Sequence, residues 1–304
     1  MESLRKSLAH RLRGEVRVDE PLKRHTTYRI GGPADLFVLP ACVEDVLWTL
    51  RLSREAGATV FVMGAGSNLL VSDRGVRGVV LCLGQAMGRV EFEGERVRAC
   101  AGVLLPRLAK LAAGRGLSGL EWAGGVPGTV GGAVAMNAGA HGSDTSRSLV
   151  AAHLASSDGE LVVCPGEELG FEYRKSRLVR AGGYVVVAAE FRLEPGSVLE
   201  IEGRMKEFAA RRRRTQPLGL PSSGSVFKNP PGDYAGRLIE AASLKGTRVG
   251  GAQVSTVHAN FIVNTGDASA DDVRRLIELV RRRVKEEFGV TLELEVELVG
   301  WDRS

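Results

Sequence analysis

The 304-residue chain is poor in aromatic residues, which make up 5% of it. Platforms on which bases could stack are therefore scarce, which argues against a single-strand nucleic-acid binder despite the net charge of +5. Its four cysteines, Cys42, Cys82, Cys100 and Cys164, are scattered, with no CxxC pair and no histidine at ligand spacing. That excludes a disulfide scaffold, points away from a zinc site or any other metal, and leaves reduced, buried thiols as the expectation. No apolar run approaches the ~18 residues of a membrane span, and MESLRKSLAHRLRGEVRVDE at the start is too charged for a secretory signal. A cytoplasmic protein with no membrane partner is expected. There is no long repeat and no low-complexity tail. Arginine outnumbers lysine 33 to 8 and Asn plus Gln total 8, a bias that suits either a hot habitat or a GC-rich genome.

What is present is an ordinary globular composition, 44% apolar and 25% charged, at a length suited to roughly two domains. Glycine, by contrast, is concentrated in Gly119 to Gly142, GLEWAGGVPGTVGGAVAMNAGAHG. Each glycine inside a regular element costs about 0.5–1 kcal/mol relative to alanine, so a run of them needs a return. The usual return is a backbone that approaches a large ligand closely and turns its N–H groups toward an anion. A flexible surface loop is the plainer alternative, but a linker would be polar. Here Trp122, Val126, Val130, Val134 and Met136 run apolar side chains through the glycines. The stretch is expected to be an ordered, partly buried loop system with room for a flat or phosphorylated ligand.

Around it the pattern mixes helices and strands. An N-terminal helix precedes His25 to Pro40, which reads as a turn, a Gly-Gly pair and a short strand; CVEDVLWTLRLSREAG reads as an amphipathic helix and ATVFVMG as a buried strand. Gly64-Ala65-Gly66-Ser67-Asn68 then begins like a dinucleotide fingerprint, but Leu69 occupies the place of its third small residue. A tight turn offering Ser67 and Asn68 to a phosphate fits, as does an ordinary strand-to-loop turn. Short strands fill Gly75 to Cys100, LLPRLAKLAAGRGL reads as a helix, and Asp158-Gly159 turns a hairpin in LVAAHLASSDGELVVCP. YVVVAAEFRLEP is a strand, and Pro195-Gly196 a plausible boundary. Beyond it, SVLEIEGRMKEFAARRRR is helical and ends in Arg211 to Arg214, either a solvated face or a diphosphate grip. A helix over YAGRLIEAASLKG and two short strands in VGGAQVSTVHANFIVN follow. Ser269 to Phe288 carries a complete helix signature ended by Gly289. The last segment alternates Leu292, Leu294, Val296 and Leu298 against Glu293, Glu295 and Glu297, as a final strand would.

Seven of these segments, TTYRIGGPAD, GAGSNLLVSD, the Gly119–Gly142 stretch, FEYRKS, TQPLGLPSSGSVFKNP, GGAQVSTVHANFIVN and LELEVELVG, together resemble the UDP-N-acetylenolpyruvoylglucosamine reductase family, in the family's order and over most of the chain. The resemblance implies an α+β fold: an FAD-binding unit over residues 1–195, made of two α+β subdomains of vanillyl-alcohol-oxidase type divided near residue 85, and a C-terminal α/β substrate-binding domain over 196–304. It implies non-covalent FAD, NADPH as co-substrate, a UDP-sugar substrate, no nucleic-acid partner and a monomer. Ser225 matches the family's proton donor, Arg174 the arginine that holds the substrate carboxylate, and Glu295 its catalytic glutamate, with Glu293 as the alternative. If Glu295 donates a hydrogen bond, burial must raise its pKa. Gly64, Gly66, Ser67, Asn68, Pro127, Gly128, Gly132, Asn137 and Gly139 are implied along FAD, and Tyr173, Lys228 and Asn229 at the UDP moiety. His141 is the one histidine placed where flavin attachment has to be considered. Lys228 to Gly251 is too short for the tyrosine-bearing insertion of some members, so the chain resembles the shorter class. Two other readings remain: a different oxidoreductase on the same flavin fold, and a basic nucleotide- or RNA-binding module built on Arg211–Arg214 and Arg281–Arg283.

Overall fold

A computed structural model describes residues 1–177 and 183–301. Leu178, the end of the FEYRKSRL segment, and the last three residues lie outside the described residues. The chain divides into two compact units that interleave in sequence. The first takes residues 1–19, 35–65 and 78–212, and the second 20–34, 66–77 and 213–304. This division differs from a linear one near Pro195.

In the first unit a four-stranded sheet runs in the order Glu15–Pro21, Pro33–Leu39, Val76–Cys82, Val60–Met63, with the last two parallel. Val60–Met63 is a sheet edge and only partly buried, not the fully buried strand its β-branched run suggests. The helices Glu2–Arg11 and Val43–Glu55 turn Leu4, Leu8, Val46 and Leu50 into the same core as Leu36, Val38, Val79 and Leu81. A second, antiparallel sheet has the order Leu161–Pro165, Leu149–Ser156, Tyr184–Arg192, Arg96–Cys100, Val90–Glu93. Leu105–Ala113 is amphipathic, burying Leu105, Leu108, Ala109 and Ala112.

The glycine-rich stretch is more regular than a loop system. A 3₁₀ turn spans Glu121–Gly125 and a helix spans Val130–Met136, running through two of the glycines. The helix forms because Thr129 caps it, accepting from Gly132 N, and because its backbone is held from outside: Val130 N donates to Val103 O at 2.8 Å and Gly131 N to Ala101 O at 2.9 Å. At that distance only glycine fits at 131, where a Cβ would come 2.9 Å from that of Ala101. Tertiary contact thus outweighs the poor helix propensity of Gly-Gly.

The helix Val198–Thr215 explains why the first unit continues past Pro195. Arg204 donates to Glu121 Oε1 at 2.6 Å from Nη2, and Phe208 stacks on His141 with ring centroids 4.1 Å apart. Burial drives the Glu121 carboxyl up, but Arg204, Ser118 and the Gly119 N–H together hold it below its ordinary range.

In the second unit the helix Ala270–Phe288 buries Val273, Leu276, Ile277, Val280 and Val284. Ser269 and Asp272 form its capping box, Gly289 ends it in the left-handed region, and the side chain of Asp73 adds two further caps, to Ala270 N (3.0 Å) and Asp271 N (3.2 Å). A three-stranded antiparallel sheet, Arg248–Val249, Ala252–Val254, Ile262–Asn264, packs on this helix with Ala235–Ala241. Leu69–Val71 pairs in parallel with Glu297–Val299. The expected alternating strand from Leu292 is not continuous. Leu292 and Val296 are buried as predicted, but the phase then changes, leaving Leu298 37% exposed and Val299 buried as the strand turns to meet Leu69–Val71.

Candidate functional site

Glycine-rich backbone and the Arg174 hairpin lie together in the first unit. Gly64 follows the strand Val60–Met63, and a Cβ there would overlap Thr129 Oγ1, so the backbone after this strand lies directly against the side chain that caps the glycine-rich helix. Pro127 and Gly132 are exposed, and Gly128 and Gly139 half-exposed. Asn137, implied along FAD, has its side chain engaged within the protein. It is buried, ends the helix with φ 44°, and spends its amide internally, donating to Glu172 O (3.1 Å) and accepting from Ser146 N (3.1 Å).

Glu172 and Lys175 exchange both backbone hydrogen bonds, closing a two-residue turn on Tyr173 and Arg174, with Arg174 at φ 55°. Three bonds stitch this turn to the glycine-rich stretch. These are Asn137 to Glu172 O, Arg174 Nη2 to Gly139 O at 2.8 Å, and the buried Ser176 Oγ to Ala135 O at 2.6 Å. Tyr173 is 52% exposed, with the Arg174 guanidinium 4.9 Å from its ring centroid. Ser176 and Thr129 did not stand out in sequence as functional. The cue for Thr129 was a threonine directly before a run of small residues, the cap signature; Ser176 has no cue beyond its place in YRKS.

His141 lies against Phe208. Burial first, then the charges of Arg211 and Arg212, keep its imidazole below the ordinary histidine value. Arg212 is half-buried, while Arg211, Arg213 and Arg214 are exposed.

In the second unit the Ser225 segment is clamped on both sides. Val226 N donates to Asn260 O, and the buried Asn260 side chain takes both polar groups of Phe227, accepting from its N (3.0 Å) and donating to its O (2.8 Å). On the other side Glu295 N reaches Val226 O, and Lys228 N reaches Glu293 O, both at 2.9 Å, around an antiparallel bridge of Phe227 to Leu294. The three serines that looked alike in sequence are now distinct. The Ser222 carbonyl accepts from Thr27 Oγ1 at 2.7 Å, Ser223 is buried, and Ser225 is half-exposed with no hydrogen bond from its hydroxyl to the described protein.

The two candidate glutamates also separate. Glu293 is exposed and faces Lys228 Nζ at 3.4 Å, whereas Glu295 is half-buried beside the Ser225 segment. Asn229 is exposed; its Oδ1 accepts from Ala235 N, leaving its NH₂ for a ligand. Gly66 is buried, its carbonyl accepting from Thr27 N. Asn68, expected at a phosphate, instead directs its amide to Glu295 O at 2.9 Å.

These residues fit FAD. None of the nine implied positions carries an acidic side chain that would repel a pyrophosphate. Trp122 Nε1 and His141 Nε2, both in that stretch, are buried without a protein partner, a cost carried more readily by a segment shaped for a ligand than for its own packing. No group of three or more metal-binding side chains occurs among the described residues, and all four cysteines are free. Cys82 and Cys164 are buried as expected, Cys42 and Cys100 only partly.

Comparison with known proteins agrees with this division of labour. The family model of an FAD binding domain matches residues 34–165, and that of the C-terminal domain of UDP-N-acetylenolpyruvoylglucosamine reductase matches 216–299. The chain is 48% identical over 300 residues to a UDP-N-acetylenolpyruvoylglucosamine reductase of Halalkalibacterium halodurans, covering 99% of both. It is 50% identical over 290 residues to one of Rubrobacter xylanophilus, covering 95% of this chain and 97% of the relative. The crystal structure of a UDP-N-acetylenolpyruvylglucosamine reductase from Thermus caldophilus matches with a TM-score of 0.80 at 41% identity, over 95% of this chain and 100% of that one.

Proposed function

Because the chain belongs to the UDP-N-acetylenolpyruvoylglucosamine reductase family, FAD-dependent oxidoreductases of peptidoglycan precursor synthesis, we propose that it reduces the enolpyruvyl group of UDP-N-acetylglucosamine-enolpyruvate with NADPH. The observation that carries the residue roles is the clamped Ser225 segment, with its unengaged hydroxyl and with Glu295 bonded to the very next residue. The chemistry supplied by bound FAD is hydride transfer, accepted from NADPH and passed to C3 of the enolpyruvyl group. Arg174 holds the substrate carboxylate, its fork suited to two parallel hydrogen bonds as negative charge spreads from C2. Ser225 gives its hydroxyl proton to C2, and Glu295 fixes the charge distribution on the carboxylate side. Preorganised donors of this kind are often the largest single term in catalysis.

Tyr173, Lys228 and Asn229 bind the UDP moiety; the glycine-rich positions, with Gly64, Gly66 and Ser67, bind FAD without a covalent bond. NADP⁺, left after the hydride is given up, departs before the sugar nucleotide enters, giving ping-pong kinetics. Residues up to about 195 serve mainly FAD and the remainder the sugar nucleotide. The protein works as a cytoplasmic monomer. In support of that location, no helix among the described residues is long and apolar enough to cross a membrane.

The test is the visible spectrum under anaerobic conditions. Yellow colour should bleach with one equivalent of NADPH and return on adding the enolpyruvyl UDP sugar. Bleaching without recovery would assign the chain to another oxidant, and product-inhibition patterns that require a ternary complex would overturn the ping-pong order.

A further inference from the structure

We propose that Asn68 is a positioning residue for Glu295, acting through the carboxylate-bearing segment rather than through a cofactor phosphate. The inference rests on the role given to Glu295 above. Asn68 Nδ2 donates to Glu295 O at 2.9 Å, and Asn68 O accepts from Glu297 N at 2.9 Å, so one residue grips the chain on both sides of Val296. The other face of Glu295 is tied as well, its N–H donating to Val226 O. Both peptide groups of Glu295 are therefore fixed, one by the residue after Ser225 and one by Asn68.

The grip matters because Leu292 to Val296 belongs to no regular strand. A ladder would constrain the backbone at every second residue; here single bonds set the orientation from which the Glu295 side chain leaves. Parallel pairing begins only at Glu297 opposite Leu69. The chemistry also dictates the residue type. The acceptor is a carbonyl, so the side chain must present a donor, and an aspartate would set oxygen against oxygen.

The gripping loop is itself anchored. Thr27 N donates to Gly66 O at 3.1 Å, while the Thr27 hydroxyl lies 2.7 Å from Ser222 O and 3.4 Å from Gly66 O. One proton serves one good bond, and the shorter contact takes it. The loop 66–68 is thus tied toward both the serine segment and Glu295, and Asn68 is the member that reaches the latter.

The experiment uses the full-length flavoprotein with its flavin reduced by dithionite, mixed in a stopped-flow cell with the enolpyruvyl UDP sugar. Asn68→Ala should retain flavin, keep the half-saturating sugar concentration within about twofold, and slow reoxidation roughly 10- to 100-fold, the scale of a misplacement of about 1 Å. Asn68→Gln, which keeps a donor, should recover part of that rate. In a Glu295→Gln background, Asn68→Ala should add no further slowing, because a residue acting only through another loses its effect when that other is gone. An unchanged rate, a multiplicative loss in the double variant, or flavin loss cured by added FAD would overturn the proposal. Failure of both Asn68 variants to fold would overturn it too, by making the residue a general structural one. A wild-type protein whose reduced flavin the sugar does not reoxidise would refute the reductase reading, and this inference with it.

Discussion

The glycine-rich stretch of the first unit and the Ser225–Glu295 segments of the second spend their polar groups in opposite ways. In the first, side chains are consumed internally: Thr129 caps its helix, Asn137 joins Glu172 to Ser146, and Ser176 is sunk into Ala135 O, while Pro127 and Gly132, which carry no polar side chain, are exposed. In the second, backbone is consumed: Val226, Phe227, Lys228 and Glu295 bond to one another and to Asn260, while the side chains of Ser225 and Glu295 remain part-exposed. A surface of small residues without projecting side chains suits a long cofactor that must be approached closely along its length. Side chains on a clamped backbone suit the placing of one proton and one charge.

The comparison breaks first at Ser225. Ser225→Ala should slow reoxidation by the sugar nucleotide about 10³-fold, within the range for loss of a general acid, and leave the urea midpoint unchanged. A stability loss instead would put this hydroxyl among the structural groups. Next comes Asn137→Ala, which should destabilise by about 2–4 kcal/mol by forcing alanine to positive φ and removing the two hydrogen bonds of the buried amide, to Glu172 O and from Ser146 N. Asn137→Gly should lose about 1 kcal/mol less, since it relieves only the backbone term. Equal losses in chemical denaturation would show that φ is not part of the cost.

Asp73→Ala removes two caps from the helix Ala270–Phe288 but leaves its capping box, so a loss of about 1 kcal/mol is expected in thermal melts, with flavin binding retained. The smallest effect concerns His141. Its imidazole is held below the ordinary value of 6.5, so the unfolded chain takes up the proton first. The contribution is complete above that value and declines as pH falls through it. His141→Gln should therefore flatten part of the stability slope as pH falls below about 6.5. An unaltered slope would place the acid sensitivity elsewhere.

Local signals were legible wherever structure answers to local rules. Ser269, Asp272 and Gly289 mark the ends of their helix, and Asp158-Gly159 turns the hairpin Leu149–Pro165 as read. What escaped depends on distance in sequence. Asn68 and Glu295 are 227 residues apart, and no periodicity reports that an amide serves a carbonyl so remote. The helix through Gly131 and Gly132 exists because Ala101 and Val103 hold it, a tertiary cause invisible to propensity. The final strand kept its alternation only to Val296, where pairing with Leu69–Val71 resets the phase. The linear division near Pro195 overlooked residues 20–34 and 66–77, whose partners come from the other end of the chain.

That interleaving bears on how the protein is made. Leu69–Val71, three apolar residues buried in the finished fold, leave the ribosome long before Glu297–Val299, with which they pair. At about 5–20 residues per second the wait is of order ten seconds or more. Throughout it, a hydrophobic strand and the capping carboxylate of Asp73 stand without their partners, so the second unit closes only once residues 297–299 have emerged, and the nascent chain should be a client of whichever chaperone meets residues 66–77 first.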